Sequence, residues 1–86
     1  MFYQEDRMKI TISLRGTLPN QLDGIKERVA EVPDHCTCDE ALKSIGMDYT
    51  KIKRFGFVAI NGKRVMIHDR LSEGDELKAY SSISGG

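Results

Sequence analysis

The feature of this sequence that most constrains its fold is a strand-turn-strand signature in its second half. A short apolar run of strand-forming residues, Phe57-Val58-Ala59-Ile60, ends directly at Asn61-Gly62. The favoured two-residue hairpin turn needs positive φ at both central positions, which Asn and Gly tolerate best. The sequence therefore predicts a hairpin that joins a strand buried on both faces, or nearly so, to a second strand over residues 64–68.

Two further strands are predicted before the hairpin. Apolar side chains occupy every second position of residues 8–14 and alternate with polar ones, as in a strand with one face toward solvent. Turn-forming residues follow at positions 16–24, and a second strand is predicted over residues 28–32. The spacing of Ile25, Val29 and Val32 also fits one and a half turns of helix, so both interpretations of this segment stay open.

One helix is predicted over residues 38–45. Thr37 precedes it and Glu40 lies three residues later, the spacing of a capping box in which each side chain satisfies a free backbone N–H group. Gly46 stands where a left-handed helix cap is needed. Positions i, i+3, i+4 and i+7 form an apolar stripe that would face a core. The stripe consists of Cys38, Ala41, Leu42 and Ile45.

A last strand is predicted over residues 76–81, with Leu77 and Ala79 facing inward. The element order is then strand, strand, helix and three strands. This order predicts an α+β fold of the β-grasp, ubiquitin-like kind, a mixed four- to five-stranded sheet with one main helix packed on one face. The domain is expected to span residues 8–81, between a flexible N-terminal extension, residues 1–7, and a flexible C-terminal tail, residues 82–86.

Composition narrows the classes of function. The chain has 86 residues and balances thirteen basic against thirteen acidic ones, so no global field attracts nucleic acid or anionic membrane. It contains no apolar run long enough for a membrane span, and acidic residues near its start are unlike a secretion signal, which predicts a cytoplasmic protein. No phosphate-binding glycine loop or catalytic constellation is evident, which predicts a chain that is not itself an enzyme.

The two cysteines raise a separate question. His35, Cys36 and Cys38 invite comparison with a metal site, but Cys38 lies on the apolar stripe, and structural zinc sites draw their ligands from two separated pairs. Cys36 and Cys38 are also too close in sequence for an unstrained disulfide. The preferred interpretation is two reduced thiols, one of them buried, and no metal. A role for Cys36 as an adjunct to sulfur chemistry remains a secondary hypothesis.

The last residues of the chain are small, ending in Ser84-Gly85-Gly86. Glycine has no Cβ, so such a segment can pass through a gap too narrow for any side chain. Small residues also gather in termini without any function. The tail alone therefore does not decide between insertion into a partner's active site and an inert end.

The ordered combination of four segments resembles the MoaD/ThiS sulfur carriers over about residues 8–86. Each segment is weak alone, but their order and spacing are specific. The segments are Val32-Pro33-Asp34 with Thr37, Ala41 and Leu42; Val58-Ala59-Ile60-Asn61-Gly62-Lys63; Leu71 with Gly74-Asp75-Glu76; and Ser84-Gly85-Gly86. One departure is Ser81-Ser82, where the family often has proline.

This resemblance implies a protein co-substrate. In the family, the terminal glycine carboxylate is adenylated by a ubiquitin-activating-type enzyme that uses ATP and magnesium, and is then converted to a thiocarboxylate. By position, Gly86 would carry the sulfur and Gly85 would provide clearance. The implied partners are that adenylating enzyme and a sulfur-accepting synthase or large synthase subunit, with no cofactor bound by the chain itself. The ending Ile83-Ser84-Gly85-Gly86 favours the molybdopterin type over the thiamin type.

Two alternatives stay open: a ubiquitin-related modifier conjugated through Gly86 to lysines, and a binding module with an inert tail. Basic residues lie beside aromatic ones near residue 54. This pattern fits a solvated loop or a docking surface for an acidic partner, and it fits a nucleic-acid-binding surface less well. We expect Met66, His68 and Tyr80 to project from the sheet face opposite the helix. The candidate residues for partner docking are Met66, Tyr80, Ile83, Phe57, Lys53 and Arg54.

Overall fold

The computed structural model describes residues 6–21 and 24–82. Five strands and one α-helix lie in this part of the chain, with short 3₁₀ helices at Leu18–Gln21 and Tyr49–Lys51. In chain order the elements are β1 (Arg7–Arg15), β2 (Glu27–Pro33), α1 (Cys38–Ser44), β3 (Phe55–Ile60), β4 (Lys63–Val65) and β5 (Glu76–Ser81).

The strands form one mixed sheet in the order β2-β1-β5-β3-β4. The neighbouring pairs β1 with β2, β3 with β4 and β3 with β5 are antiparallel, whereas β1 and β5 run parallel. The last strand along the chain therefore lies in the middle of the sheet. This mixed sheet with one helix confirms the β-grasp prediction.

The core lies between one face of the sheet and α1. Ile12 of β1, Leu77 of β5 and Leu42 of α1 are all fully buried. Because side chains alternate across a strand, burial of Leu77 and Ala79 assigns the odd-numbered residues of β5 to this face. The even-numbered residues, Lys78 and Tyr80 among them, then occupy the opposite face, which we call the outer face.

The capping box at the start of α1 forms as predicted. The Glu40 backbone N–H donates to Thr37 Oγ1 at 3.2 Å, and the Thr37 backbone N–H donates to Glu40 Oε1 at 2.8 Å. These hydrogen bonds hold the pKa of Glu40 below its usual value. The helix ends at Ser44, one residue earlier than predicted, and Ile45 is its C-cap. Gly46 follows with a φ of 92°, as its left-handed cap position requires.

The prediction for β4 was wrong in its second half. The strand ends at Val65 instead of continuing to His68. The reason is competition from the helix start, because the free N–H groups of Cys38 and Asp39 donate to the carbonyls of Asp69 and Ile67, both at 3.0 Å. The segment after Val65 therefore turns toward α1 and leaves the neighbouring part of β3 without a strand on that side.

Other boundaries differ by one or two residues. The segment open to two interpretations is strand β2, whose Val29 pairs with Thr11 of β1. β1 begins at Arg7, inside the predicted extension, and β3 begins two residues before Phe57. No helix within the described residues is long and apolar enough to cross a membrane.

Candidate functional site

The end of β5 is where the chain leaves the sheet toward its last residues. Ser81 pairs with Phe55 of β3, and the Ser82 backbone N–H donates to the Arg54 carbonyl at 2.5 Å. On the other side, the Thr17 backbone N–H donates to Ser81 Oγ at 3.1 Å. Residues 81 and 82 are thus bonded to segments that flank β5 on both sides. We call these two residues the tail exit.

A group of two aromatic rings and one cation lies on the outer face beside the tail exit. Tyr80 and Phe57 are cross-strand partners, and their rings stack with centroids 4.5 Å apart and an interplanar angle of 13°. The Arg64 guanidinium lies 4.6 Å from the Phe57 ring centroid, a cation–π distance. We call Phe57, Arg64 and Tyr80 the aromatic surface. It offers flat apolar area with a positive charge at its margin.

A cavity of about 450 Å³ opens beyond the end of β4, beside the part of β3 that pairs with β5 but not with β4. Its walls include Phe57 and Arg64 of the aromatic surface, Met66, and Arg54, whose carbonyl accepts the hydrogen bond from Ser82. The described lining contains two arginines and no acidic residue. This cavity therefore lies between the aromatic surface and Arg54, the hydrogen-bond partner of the tail exit, and its lining suits apolar and acidic groups.

The structure brings together most of the docking residues predicted from the sequence. Phe57 and Tyr80 stack on each other, while Arg54, Phe57 and Met66 line the same cavity. Lys53 is exposed in the turn before β3, next to Arg54, and does not line the cavity. The remaining candidates lie outside the described residues. They are Ile83, Gly85 and Gly86.

Two details of this surface differ from expectation. Met66 is 72% exposed but follows the end of β4, so it borders the sheet instead of projecting from it. His68 lies in the turn beyond and contacts Tyr49 edge-on, with ring centroids 6.5 Å apart. His68 is therefore not a strand residue of the outer face. Both differences follow from the early end of β4.

Sequence reasoning missed the contribution of Arg64 and the carbonyl of Arg54. Alternation along β3 and β4 would place Phe57 and Arg64 on one face, but only the sheet register shows that their side chains meet. Arg54 was predicted for its charge, whereas its backbone also holds the tail exit. Arg54 has a φ of 61°, a left-handed backbone conformation that residues other than glycine seldom adopt. The identity of an arginine therefore does not predict this conformation.

Both cysteines are free and buried, whereas only one of them was expected to be buried. Burial raises the pKa of both thiols, that of Cys38 to about 11, so both are protonated at neutral pH. A protonated, buried thiol is a poor nucleophile, which weighs against the adjunct role for Cys36. Within residues 6–21 and 24–82, no three His, Cys, Asp or Glu side chains are placed to hold a metal ion.

No known protein family model and no curated protein sequence matches the chain. Solved structures do match. The Haloferax volcanii HVO 2177 protein has a TM-score of 0.70 at 19% identity, and the match covers 98% of this chain and 95% of that one. A Pyrococcus furiosus protein described as molybdopterin converting factor subunit 1 has a TM-score of 0.68 at 21% identity, covering 88% and 99%.

The small archaeal modifier protein 1 of Haloferax volcanii has a TM-score of 0.69 at 18% identity, covering 88% of this chain and 99% of that one. At these identities the likeness concerns the fold, and it extends over almost the whole length of each neighbour. The TM-scores to the molybdopterin converting factor subunit and to the protein modifier are nearly equal. The chain thus has the ubiquitin-like β-grasp fold, and its structure resembles those of a molybdopterin converting factor subunit and of a small archaeal modifier protein.

Proposed function

We propose that the chain is a sulfur-carrier protein of the MoaD/ThiS type. The Gly86 carboxylate attacks the α-phosphate of ATP on a partner enzyme, which forms an acyl adenylate and releases pyrophosphate. Hydrosulfide or an equivalent sulfur donor then displaces AMP, and the product is a C-terminal thiocarboxylate. This thiocarboxylate supplies sulfur to cofactor biosynthesis, of the molybdopterin type in preference to the thiamin type. In this proposal, the loading and transfer of sulfur take place in the cytoplasm.

The observation that supports this proposal is the central position of β5, the strand that the final residues follow in the sequence. β5 lies between β1 and β3 in the middle of the sheet, and the chain leaves it at Ser82, which is hydrogen-bonded to Arg54. Ile83-Ser84-Gly85-Gly86 follow directly. A firmly held strand that leads into two glycines suits delivery of a narrow segment into another protein's active site.

The partner must supply the chemistry of activation. A carboxylate is a poor electrophile, and forming the adenylate requires a nucleotide site, magnesium and positive charge around the phosphates. We assign these to a ubiquitin-activating-type enzyme, with ATP and magnesium as its cofactors. The chain binds no cofactor of its own in this scheme. A synthase, or the large subunit of one, accepts the sulfur.

The aromatic surface is the proposed docking site for these partners. Tyr80 lies on β5 two residues before Ser82, so a protein seated on Tyr80 is close to the point where the tail begins. Stacked aromatic rings supply contact area with little loss of side-chain entropy, which is typical of residues that dominate binding energy. Met66 and Arg54 extend the contact, while Lys53 and Ile83 stay proposed contributors at its edge.

A second function uses the same activated carboxylate. A ubiquitin-related modifier would transfer the Gly86 acyl group to a lysine amine, which releases AMP and forms an isopeptide bond. The observation in its favour is the likeness to small archaeal modifier protein 1, as strong as that to the molybdopterin factor subunit. The two functions share adenylation and separate only at the group that displaces AMP. A binding module with an inert tail would lack adenylation altogether.

The proposed activation is tested by ATP–pyrophosphate exchange. Reversible adenylation moves radiolabel from pyrophosphate into ATP, and only when a carboxylate substrate is present. We expect extract of the host, depleted of the native chain, to exchange label in proportion to added wild-type protein until the rate reaches a plateau. The half-saturating concentration reports docking, and the plateau reports the chemical step. Equal exchange with and without added protein would contradict the proposal.

We expect Tyr80→Ala to raise the half-saturating concentration by about 10-fold or more, because loss of an anchoring aromatic residue commonly costs over 1.4 kcal/mol of binding. The plateau should stay within about twofold, since chemistry at the far end of the tail is unaffected once the partner is bound. Val29→Ala is the matched control. Val29 is 67% exposed on β2, and its pairing with Thr11 places it on the same outer face. Equal effects of both variants would remove the aromatic surface from the docking site.

A further inference from the structure

Two glycines from separate strands lie against the tail exit. On the β3 side, a Cβ added at Gly56 would stand 2.8 Å from the Ser82 nitrogen and 2.9 Å from the Ser81 carbonyl carbon and oxygen. Real Cβ atoms essentially never come so close to backbone atoms. Gly56 also lies at the irregular pairing between Phe55 and Phe57, where β3 bulges against β5. A side chain at position 56 would therefore displace the exit backbone.

The other glycine closes the opposite side. Gly16 follows β1, which is the other neighbour of β5, and a Cβ built there would collide with Ser81 Oγ. The same Oγ accepts a hydrogen bond from the Thr17 backbone N–H. Gly16 has a φ of 68°, so the turn itself also favours glycine. Segments more than 35 residues apart in sequence thus converge on two residues at the end of β5.

We propose that Gly16, Gly56, Thr17 and the Arg54 carbonyl form a collar that clamps Ser81 and Ser82, so that both residues are already held in place when a partner binds. The collar residues are positioning residues and do not touch the reacting atoms. This inference rests on the proposed function, for which it specifies how the tail is aimed. The tail beyond the collar has four residues and spans at most about 14 Å.

The collar acts on the rate through chain entropy. Any residue that is mobile before the tail enters the partner must be ordered on entry. Ordering one backbone residue lowers an equilibrium constant or a rate constant by roughly 5- to 30-fold. Holding Ser81 and Ser82 in advance removes that cost for two residues. The clamp also fixes the reach of the tail, so Gly86 arrives at one depth relative to a partner seated on the aromatic surface.

The test is Gly56→Ala, measured by two methods. Amide hydrogen exchange should show that Ser82 loses its protection while buried core amides keep theirs. In ATP–pyrophosphate exchange, the plateau should fall by at least about 5-fold, whereas the half-saturating concentration stays within about twofold, because one mobile residue suffices for that loss. Gly74→Ala is the control. Gly74 has a φ of 82° with nothing within 4 Å of an added Cβ, so its substitution strains the backbone far from the exit.

A second pair of variants changes the hydrogen bond alone. Ser82→Pro removes the N–H that donates to Arg54, and Ser82→Ala keeps it, so only the proline variant should lower the plateau. A normal plateau in Ser82→Pro, or in Gly56→Ala protein that has lost Ser82 protection, overturns the collar, and retained Ser82 protection in Gly56→Ala overturns it as well. A plateau that falls equally in Gly74→Ala overturns it too. Absence of exchange with wild-type protein is a different result, because it removes the proposed function on which the collar depends.

Discussion

Gly86→Ala is expected to lower the plateau of ATP–pyrophosphate exchange by about 100-fold or more. The added Cβ widens the last residue and disfavours positive φ, so the carboxylate cannot reach the same place in a narrow channel. A displacement of about 1 Å at a reacting group can cost about 100-fold in rate. We expect no change in the thermal unfolding midpoint, because the substitution alters none of the side chains of the buried core.

Ser84→Ala provides the matched control for this change. It replaces one small side chain by another of similar size, two residues before Gly86, and leaves both glycines in place. We expect its plateau to remain within a few-fold of wild type, since position 84 already carries a Cβ. Equal plateaus for Gly86→Ala and wild type would show that the partner's channel tolerates a side chain at the end of the tail, and the case for a threaded Gly-Gly would fail.

Leu42→Ala is expected to lower the free energy of unfolding by about 2–5 kcal/mol. Leu42 is fully buried in α1 and belongs to the hydrophobic core against the sheet, so truncation leaves a cavity that the surrounding strands cannot fill. For a domain of this size each 1 kcal/mol corresponds to roughly 4–8 °C in the unfolding midpoint. The loss should be visible in urea denaturation as a lower midpoint with an unchanged slope.

Met66→Ala is the control for this measurement, because it truncates a side chain of similar volume that is 72% exposed. We expect a change within about 0.5 kcal/mol for a surface substitution of this kind. A loss for Leu42→Ala no greater than that for Met66→Ala would mean that α1 does not pack on the sheet as described. Leu42→Ala protein kept well below its melting temperature should still support exchange, since the tail exit is untouched.

The parts of the fold that local chemistry determines could be predicted from the sequence. The capping box depends on Thr37 and Glu40 alone, and both hydrogen bonds are present. The Asn61-Gly62 turn depends on the two positive φ values, 52° and 86°, that these residues adopt. The apolar stripe of α1 is buried as its period requires. In each case the deciding interactions lie within a few residues of one another.

What the sequence left undecided depends on partners far along the chain. The segment after Val65 carries strand-forming residues, but the N–H groups at the start of α1 compete for its carbonyls and end β4 early. The stacking of Phe57 on Tyr80 requires the register between β3 and β5. From the sequence, Gly56 is only a residue that weakens a strand. The need for glycine at this position becomes clear from the backbone of Ser82, which packs against it.

Intact-protein mass spectrometry would detect the proposed conversion of the Gly86 carboxylate to a thiocarboxylate. Protein purified from its host would be measured before and after incubation with host extract, ATP and a sulfur source. We expect a mass increase equal to replacement of one oxygen by sulfur, mapped to Gly86 and absent when ATP is omitted. A ladder of lysine-linked adducts without the sulfur species would establish the modifier function instead. An unchanged mass under every condition would contradict both uses of the tail.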